Sequence, residues 1–278
     1  MPRFKYQTGL ALMAAALALT APISAQAHRQ WIAPAVSQLE GKTPYVSVDA
    51  AISENLFEID SFPLKLDGLT VTGPDGQPVT PENLYEGKMR SAFDLQLRAP
   101  GTYKIAVATK SVMGSYKLAG ETKRFRGTED ELATQVPKDA EDLKVTRTLG
   151  RVESFVTYGK PNATALAATG VGLEMVPVTH PSEYIAGEPA QFQMWLDGKP
   201  AANLAVTIVP GNVKYRDAIQ DTSVTTDAKG EFTVTWPLAE RYWIGASYPP
   251  REAAEPGQPR EQPAMRYSYT ATVDVLPN

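Results

Sequence analysis

Short runs of alternating apolar and polar residues, separated by turn residues, constrain this sequence more than any other feature. Tyr45–Asp49 (YVSVD), Tyr103–Ala108 (YKIAVA) and Gln191–Leu196 (QFQMWL) are examples of these runs. Pro74-Asp75-Gly76 is an example of the turn signals between them. A period of two residues over short segments is typical of half-buried β-strands. The sequence therefore predicts an all-β protein built from β-sandwiches.

The runs fall into two groups, which predicts two β-sandwich domains. Residues 159–170 (GKPNATALAATG) separate the groups and are rich in small and turn-forming residues. We place an N-terminal β-sandwich domain at residues 28–165 and a C-terminal domain at residues 166–278. The C-terminal group contains roughly seven short runs, a number that suits an immunoglobulin-like sandwich.

Each half places a tyrosine just after a turn and at the start of a strand. Tyr103 follows Ala99-Pro100-Gly101, and Tyr242 opens the run that continues to Ser247. A tyrosine in this position can hydrogen-bond back to the preceding connection and hold a corner of the sandwich. It can also be an ordinary half-buried strand aromatic, and the sequence leaves both interpretations open.

One short helix is predicted, beginning after Thr128. In the segment T-E-D-E, the Thr128 hydroxyl can accept the backbone N–H of Glu131, and the Glu131 side chain can accept the backbone N–H of Thr128. Pro137 ends this helix early, because proline disfavours helical backbone at the residue before it.

The first 27 residues have the pattern of a cleavable secretory signal peptide. Arg3 and Lys5 precede an apolar run over residues 9–21, which is too short for a permanent membrane-spanning helix. Ala25-Gln26-Ala27 supplies the small residues that a signal peptidase requires. We therefore expect a periplasmic protein, soluble after cleavage, whose mature chain begins at His28.

The composition excludes several classes of function. The chain has no cysteine and two histidines, which rules out thiolate metal sites and cysteine nucleophiles. It contains no nucleophile elbow, phosphate-binding glycine loop, H-E-x-x-H or calcium-loop motif. The net charge of −4 does not favour nucleic acid or an anionic membrane as a partner. We therefore predict that the protein is not an enzyme and has no catalytic residues.

The two histidines, His28 and His180, are the candidate metal ligands. Cleavage before His28 would give that residue a free α-amine, so its amine and ring Nδ1 could chelate one metal ion. The imidazole of His180 could add a third nitrogen and complete a histidine brace. Nitrogen ligands of this kind favour Cu(II), then Ni(II) and Zn(II). The amine is an eligible ligand near neutral pH, because its ordinary pKa is about 7.7–8.0.

Several segments resemble a bacterial periplasmic family that is described as a domain of unknown function. They are His28-Arg29-Gln30-Trp31, Phe62–Asp75, Leu173–Pro181, Gly187–Pro200 and Thr225–Pro237. The resemblance covers nearly the whole mature chain. It implies an association with nickel and cobalt uptake transporters, which some members of the family have. Members of the family usually begin with a histidine followed closely by an aromatic pair. Here Arg29 and Gln30 replace the acidic residue and the first aromatic residue of that pattern.

We therefore predict a periplasmic protein that binds nickel, cobalt or copper for uptake or delivery. An inner-membrane metal transporter is the expected protein partner. One alternative is a metal-free structural or adhesive binding module. Another is a copper oxidase that uses the same brace on a polysaccharide. An exposed aromatic face around the metal would favour the oxidase, but Trp195, Trp236 and Trp243 lie in alternating runs and are predicted to be core residues.

Overall fold

The computed structural model describes residues 28–216, 218–250 and 263–278. Strands make up 54% of the structure, and the described residues include one short α-helix. The predicted all-β fold of β-sandwiches is therefore confirmed. The predicted signal peptide, residues 1–27, lies outside the described residues.

The strands are, in chain order, β1 Arg29–Pro34, β2 Gln38–Leu39, β3 Tyr45–Ser53, β4 Phe62–Pro63, β5 Leu69–Thr72, β6 Glu82–Glu86, β7 Ser91–Gln96, β8 Gly101–Leu118, β9 Glu121–Gly127, β10 Glu141–Tyr158, β11 Leu173–Pro177, β12 Pro189–Leu196, β13 Lys199–Pro200, β14 Ala205–Pro210, β15 Thr222–Thr225, β16 Glu231–Thr235, β17 Arg241–Tyr248 and β18 Met265–Asp274. The helix α1 spans Glu129–Gln135.

Three sheets contain these strands. A five-stranded sheet has the order β1-β3-β7-β6, with β4 beside β3. A nine-stranded sheet has the order β15-β14-β17-β18-β10-β8-β5, with β2 beside β10 and β9 beside β8. A four-stranded sheet has the order β11-β12-β13, with β16 beside β12. Strands from both halves of the chain thus share the nine-stranded sheet, which is joined by the parallel pairing of β10 with β18.

The two smaller sheets pack on opposite faces of the nine-stranded sheet. Val152 and Val156 of β10 belong to a core shared with the five-stranded sheet. Phe155 of the same strand belongs to a core shared with the four-stranded sheet. Because successive side chains of a strand point to opposite faces, these assignments place the two cores on opposite sides of β10. The molecule therefore has three layers.

The predicted halves, residues 28–165 and 166–278, each have a core of their own, with one residue of the first half in the second core. That residue is Phe155. The connection 159–170 contains no strand and carries a 3₁₀ turn at Thr164–Leu166. The shared sheet is a feature that the two-domain prediction did not include.

A third apolar cluster lies where the start of the chain crosses the C-terminal half. Trp31 and Ala33 of β1 pack with Val209 of β14 and with partly buried Trp243 of β17. The indole Nε1–H of Trp31 donates to the Ser53 hydroxyl at 2.7 Å. Strand β1 is thus anchored on the nine-stranded sheet as well as in its own sheet.

Both candidate tyrosine corners are present. The Tyr103 hydroxyl donates to the carbonyl oxygen of Ala99 at 2.8 Å and accepts the Ala99 N–H at 3.0 Å. Tyr242 makes the same pair of bonds with Leu238, at 2.9 and 3.2 Å. Each half therefore fixes one connection by the same local device.

The predicted helix cap is also confirmed. The backbone N–H of Glu131 donates to the Thr128 hydroxyl, and the Glu131 carboxylate accepts the Thr128 N–H at 2.8 Å. Helix α1 ends before Pro137, as predicted. No helix among the described residues is long and apolar enough to span a membrane.

A buried acidic side chain lies at the junction of the two halves. Glu153 of β10 is 1% exposed, and its carboxylate accepts the hydroxyl of Tyr269 on β18 at 2.7 Å. Burial raises the pKa of Glu153 above its ordinary value, against the opposing charges of Lys104 and Arg151. Burial therefore favours the protonated form of this carboxyl group at the contact between β10 and β18.

Candidate binding pocket at the start of the first strand

The structure does not bring His28 and His180 together. His28 lines a pocket that also includes Ser268, and Ser268 pairs with Gly150 of β10. His180 contacts Thr102, which pairs with Thr157 of the same strand. At about 3.3 Å per residue, the stretch of β10 from Gly150 to Thr157 spans about 23 Å. The two histidines therefore lie near points of β10 that are far apart, and the structure does not place their rings around one metal ion.

His180 instead takes part in a hydrogen-bond network. Its Nδ1 accepts the Ser182 N–H at 3.1 Å, at the start of the 3₁₀ turn Pro181–Glu183. Its Nε2 lies 2.9 Å from the Thr102 hydroxyl and 3.1 Å from the carbonyl oxygen of Asn162. In the neutral ring the proton is therefore on Nε2, and both nitrogens are occupied. The predicted brace of His28 and His180 is not assembled in this structure, and His180 instead links the two halves through these hydrogen bonds.

The pocket that contains His28 forms where the five-stranded sheet ends over the nine-stranded sheet. It has a volume of about 520 Å³. Its floor is one face of β14, β17 and β18, with alternate residues such as Thr207, Ser247, Ser268 and Thr270 lining it. His28 and the first residues of β1 form its rim. A volume of roughly 300–1,000 Å³ is typical of sites for small molecules.

Trp243 lies across the floor of this pocket. A Cβ atom on Gly245 would lie 2.0 Å from Cη2 of the Trp243 indole, so the ring occupies the space above that glycine. The Trp243 Nε1–H donates to the carbonyl oxygen of Gln30 at 2.9 Å. Trp243, predicted to be a core residue, packs against the apolar cluster at β1 but is only partly buried, and its remaining surface lines the pocket.

His28 is held at the rim because the start of β1 is fixed. The Gln30 carbonyl oxygen also lies 3.4 Å from the hydroxyl of Thr270 on β18. Arg29 pairs with Ser53 on the other side of β1. The His28 side chain is exposed, and its ring centroid lies 5.9 Å from that of Phe62. The first described residue is therefore attached to a rigid strand and faces solvent at the mouth of the pocket.

Two opposite charges also line the pocket. The Arg29 guanidinium lies 5.6 Å from the centre of the Trp243 ring, within the range of a cation–π contact. Burial lowers the pKa of Arg29, and the negative charge of Asp221 opposes this shift. Arg29 also lines a neighbouring cavity of about 260 Å³, and Asp221 lines the larger pocket.

The donor set at the pocket is small. The described residues contain no group of three or more His, Cys, Asp or Glu side chains that could hold a metal ion. His28 and Asp221 are the metal-ligating side chains that line this pocket. A free amine at His28 would add a second nitrogen beside its ring. These two nitrogen donors fit a transition metal and leave coordination positions for other ligands.

His28 is a site residue predicted from the sequence, whereas Arg29, Asp221 and Trp243 come together with it only in the folded chain. Only Trp243 has a local indication in the sequence. Gly245 stands two residues later on the same strand face, and a glycine within a strand often marks a place that another group approaches closely. In the sequence, Arg29 is distinguished only as a departure from the resembling family's pattern. Asp221 lies in a connection with no distinguishing motif.

The sequence matches a family described as "Domain of unknown function (DUF4198)" over residues 25–249. No curated protein matches the sequence. Among solved structures, the D0-D1 domain of Intimin is 9% identical, with a TM-score of 0.22 and coverage of 88% of this chain and 97% of that chain. The human OSCAR ligand-binding domain is 10% identical, with a TM-score of 0.20 and coverage of 90% and 100%.

Proposed function

This chain belongs to the family described as Domain of unknown function (DUF4198), and we propose its function from the geometry of the pocket. The protein is exported to the periplasm, where it binds a transition-metal ion (nickel, cobalt or copper) at His28. It acts as a carrier in metal uptake or delivery and not as an enzyme.

The observation that carries this proposal is the position of His28. Of the chain's two histidines, it is the one that lies at the rim of the pocket, directly before β1. Removal of residues 1–27 would create a free amine on this same residue. The amine and the ring Nδ1 could then chelate one ion, and the hydrogen bonds to Gln30 would hold the backbone beside them. A chelate attached to a fixed strand loses less conformational entropy on binding than one on a free terminus.

Asp221 is the candidate for a further ligand. Its exposed carboxylate lines the pocket together with His28. Nitrogen donors combined with a carboxylate suit divalent first-row metals, and affinity rises along the series through cobalt and nickel to copper. A metal site with few protein ligands also suits a carrier. Ligands of the receiving protein can occupy the open coordination positions before the ion leaves. The receiver proposed here is an inner-membrane nickel or cobalt transporter, as the family resemblance implies.

The test compares proteins that differ at the amine. Wild-type protein is matured in the periplasm and its N-terminus is checked by mass spectrometry. A second protein, made in the cytoplasm, keeps Met and a five-residue Gly-Ser-Gly-Ser-Gly extension before the histidine, so that its free amine is too far along the chain to join the His28 ring in a chelate. Titration calorimetry with nickel, cobalt and copper should show stoichiometric binding to the first protein. The extended protein should bind at least about 10-fold more weakly, because the chelate ring is lost.

Two variants distinguish the roles of the two histidines in metal binding. His28→Ala should abolish stoichiometric binding, whereas His180→Asn should retain it. Absence of stoichiometric metal in the processed wild-type protein would overturn the proposal and favour the metal-free binding module. Equal affinities of the processed and extended proteins would show that the amine is not a ligand.

A further inference from the structure

The pocket is much larger than a metal ion requires. Its volume is about 520 Å³, whereas one water molecule occupies roughly 30 Å³ of liquid. A bare ion held at His28 would leave most of this space to solvent. A volume in this range instead suits a small organic molecule together with the ion.

Arg29 presents a cation to this space. No carboxylate among the described residues lies within 4.0 Å of its guanidinium, and the charge of Asp221 acts on it from farther away. Other partly buried arginines are paired: Arg216 contacts Glu240 at 2.5 Å, and Arg241 contacts Asp274 at 2.8 Å. A guanidinium is a planar fork of N–H donors that matches a carboxylate in two-point contact.

The ring of Trp243 restricts the position of the Arg29 guanidinium. The Arg29 guanidinium is 5.6 Å from the ring centre, and the indole is held by its bond to the Gln30 carbonyl oxygen. A stacked guanidinium keeps its edges available for hydrogen bonds in its own plane. The hydroxyls of Thr207, Ser247 and Ser268 line the same pocket and can bind further oxygen atoms of a ligand.

We propose that the metal ion enters this pocket as a complex with a small carboxylate-bearing chelator, and that Arg29 binds a carboxylate of that chelator. This inference rests on the proposed function, since it takes His28 as the metal ligand. The chelator fills coordination positions that the protein leaves open. Arg29 therefore acts as a specificity residue, which distinguishes the complex from the bare ion.

The test uses citrate as the chelator and nickel as the ion, with protein that begins at His28. Equilibrium dialysis with radiolabelled citrate measures the citrate retained by the protein with and without nickel. Calorimetry with nickel alone measures binding of the bare ion. We expect wild-type protein to retain citrate when nickel is present and to lose that retention when nickel is omitted.

The decisive variant is Arg29→Gln, and the matched control is Arg124→Gln, an exposed arginine on β9. Arg29→Gln should weaken citrate retention by about 10- to 100-fold, the loss expected for a charge-assisted two-point contact. Its affinity for bare nickel should stay within about 3-fold of wild type. Arg124→Gln should match wild type in both measurements. A thermal unfolding curve for each variant checks that the protein is folded.

The outcomes separate the two proposals. If the protein binds nickel but retains no citrate with it, the chelate inference is overturned, whereas the proposed metal-binding function is not. Equal loss of nickel and citrate binding in Arg29→Gln would also overturn the inference, because Arg29 would then support the pocket as a whole. Failure of processed wild-type protein to bind nickel in either form would overturn the proposed function itself.

Discussion

The substitution Gly245→Ala should damage both the pocket and the stability of the protein. A Cβ atom at this position would lie 2.0 Å from Cη2 and 2.4 Å from Cζ3 of the Trp243 indole. Neither distance is tolerable between carbon atoms, so the indole must move. Movement of the ring breaks its 2.9 Å hydrogen bond to the Gln30 carbonyl oxygen and loosens the start of β1.

The size of the effect follows from two contributions. Overpacking a well-packed site costs about 1–3 kcal/mol. The lost hydrogen bond costs about 0.5–1.5 kcal/mol. The total expected loss of unfolding free energy is therefore about 2–4 kcal/mol, since the two contributions overlap in part. The same movement displaces the surface against which Arg29 stacks, so ligand binding at the pocket should weaken as well.

A double-mutant cycle tests this reasoning. Urea unfolding, followed by fluorescence or circular dichroism, gives the free energy of unfolding for wild type, Gly245→Ala, Trp243→Ala and the double mutant. If the clash is with the indole, Gly245→Ala should cost less than about 0.5 kcal/mol in the Trp243→Ala background. The same cost in both backgrounds would refute the argument, because the added methyl group would then be acting on something other than the ring.

Three further outcomes are expected from urea unfolding. Tyr242→Phe removes two hydrogen bonds to Leu238 and should cost about 1–3 kcal/mol; no loss would show that this corner is not stabilising. His180→Asn should cost about 1–3 kcal/mol, and loss of nickel binding in a folded variant would contradict its structural role. Because burial raises the pKa of Glu153, the folded state keeps this proton to higher pH than the unfolded state does. Stability should therefore fall as the pH rises from the ordinary carboxyl value through the raised one, and Glu153→Gln should flatten that dependence; an unchanged slope would contradict it.

The local features of the fold were predictable because neighbouring residues determine them. The helix cap needs only Thr128 and Glu131, and each tyrosine corner bonds to a residue four positions earlier. Alternation within the runs predicts strands in the same way. None of these features depends on which strand lies next to which.

The three-layer arrangement could not be predicted by such reasoning. It depends on the parallel pairing of β10 with β18, in which Val152 lies opposite Thr270. Nothing in either run identifies the other as its partner, because both would alternate equally well in a separate sandwich. Alternation alone therefore predicts two independent sandwiches, whereas the structure joins them through one sheet.

The candidate site was predictable only at His28. That residue stood out because of its position after the signal pattern, which is a property of the sequence. The pocket around it combines β1 with β14, β17 and β18, and this combination exists only in the folded chain. His180 is a contrasting case. Its residue type suggested a metal ligand, although Ser182, two positions later, occupies its Nδ1.

The most direct test of the metal site is a crystal structure of nickel-loaded protein that begins at His28, with data collected at the nickel absorption edge. An anomalous peak is expected at the pocket rim, about 2.0–2.1 Å from the amine and from Nδ1 of His28, a distance typical of metal–nitrogen bonds in proteins. No peak is expected at His180. A peak at His180, or at any position away from His28, would contradict the proposal that the N-terminal histidine is the metal ligand.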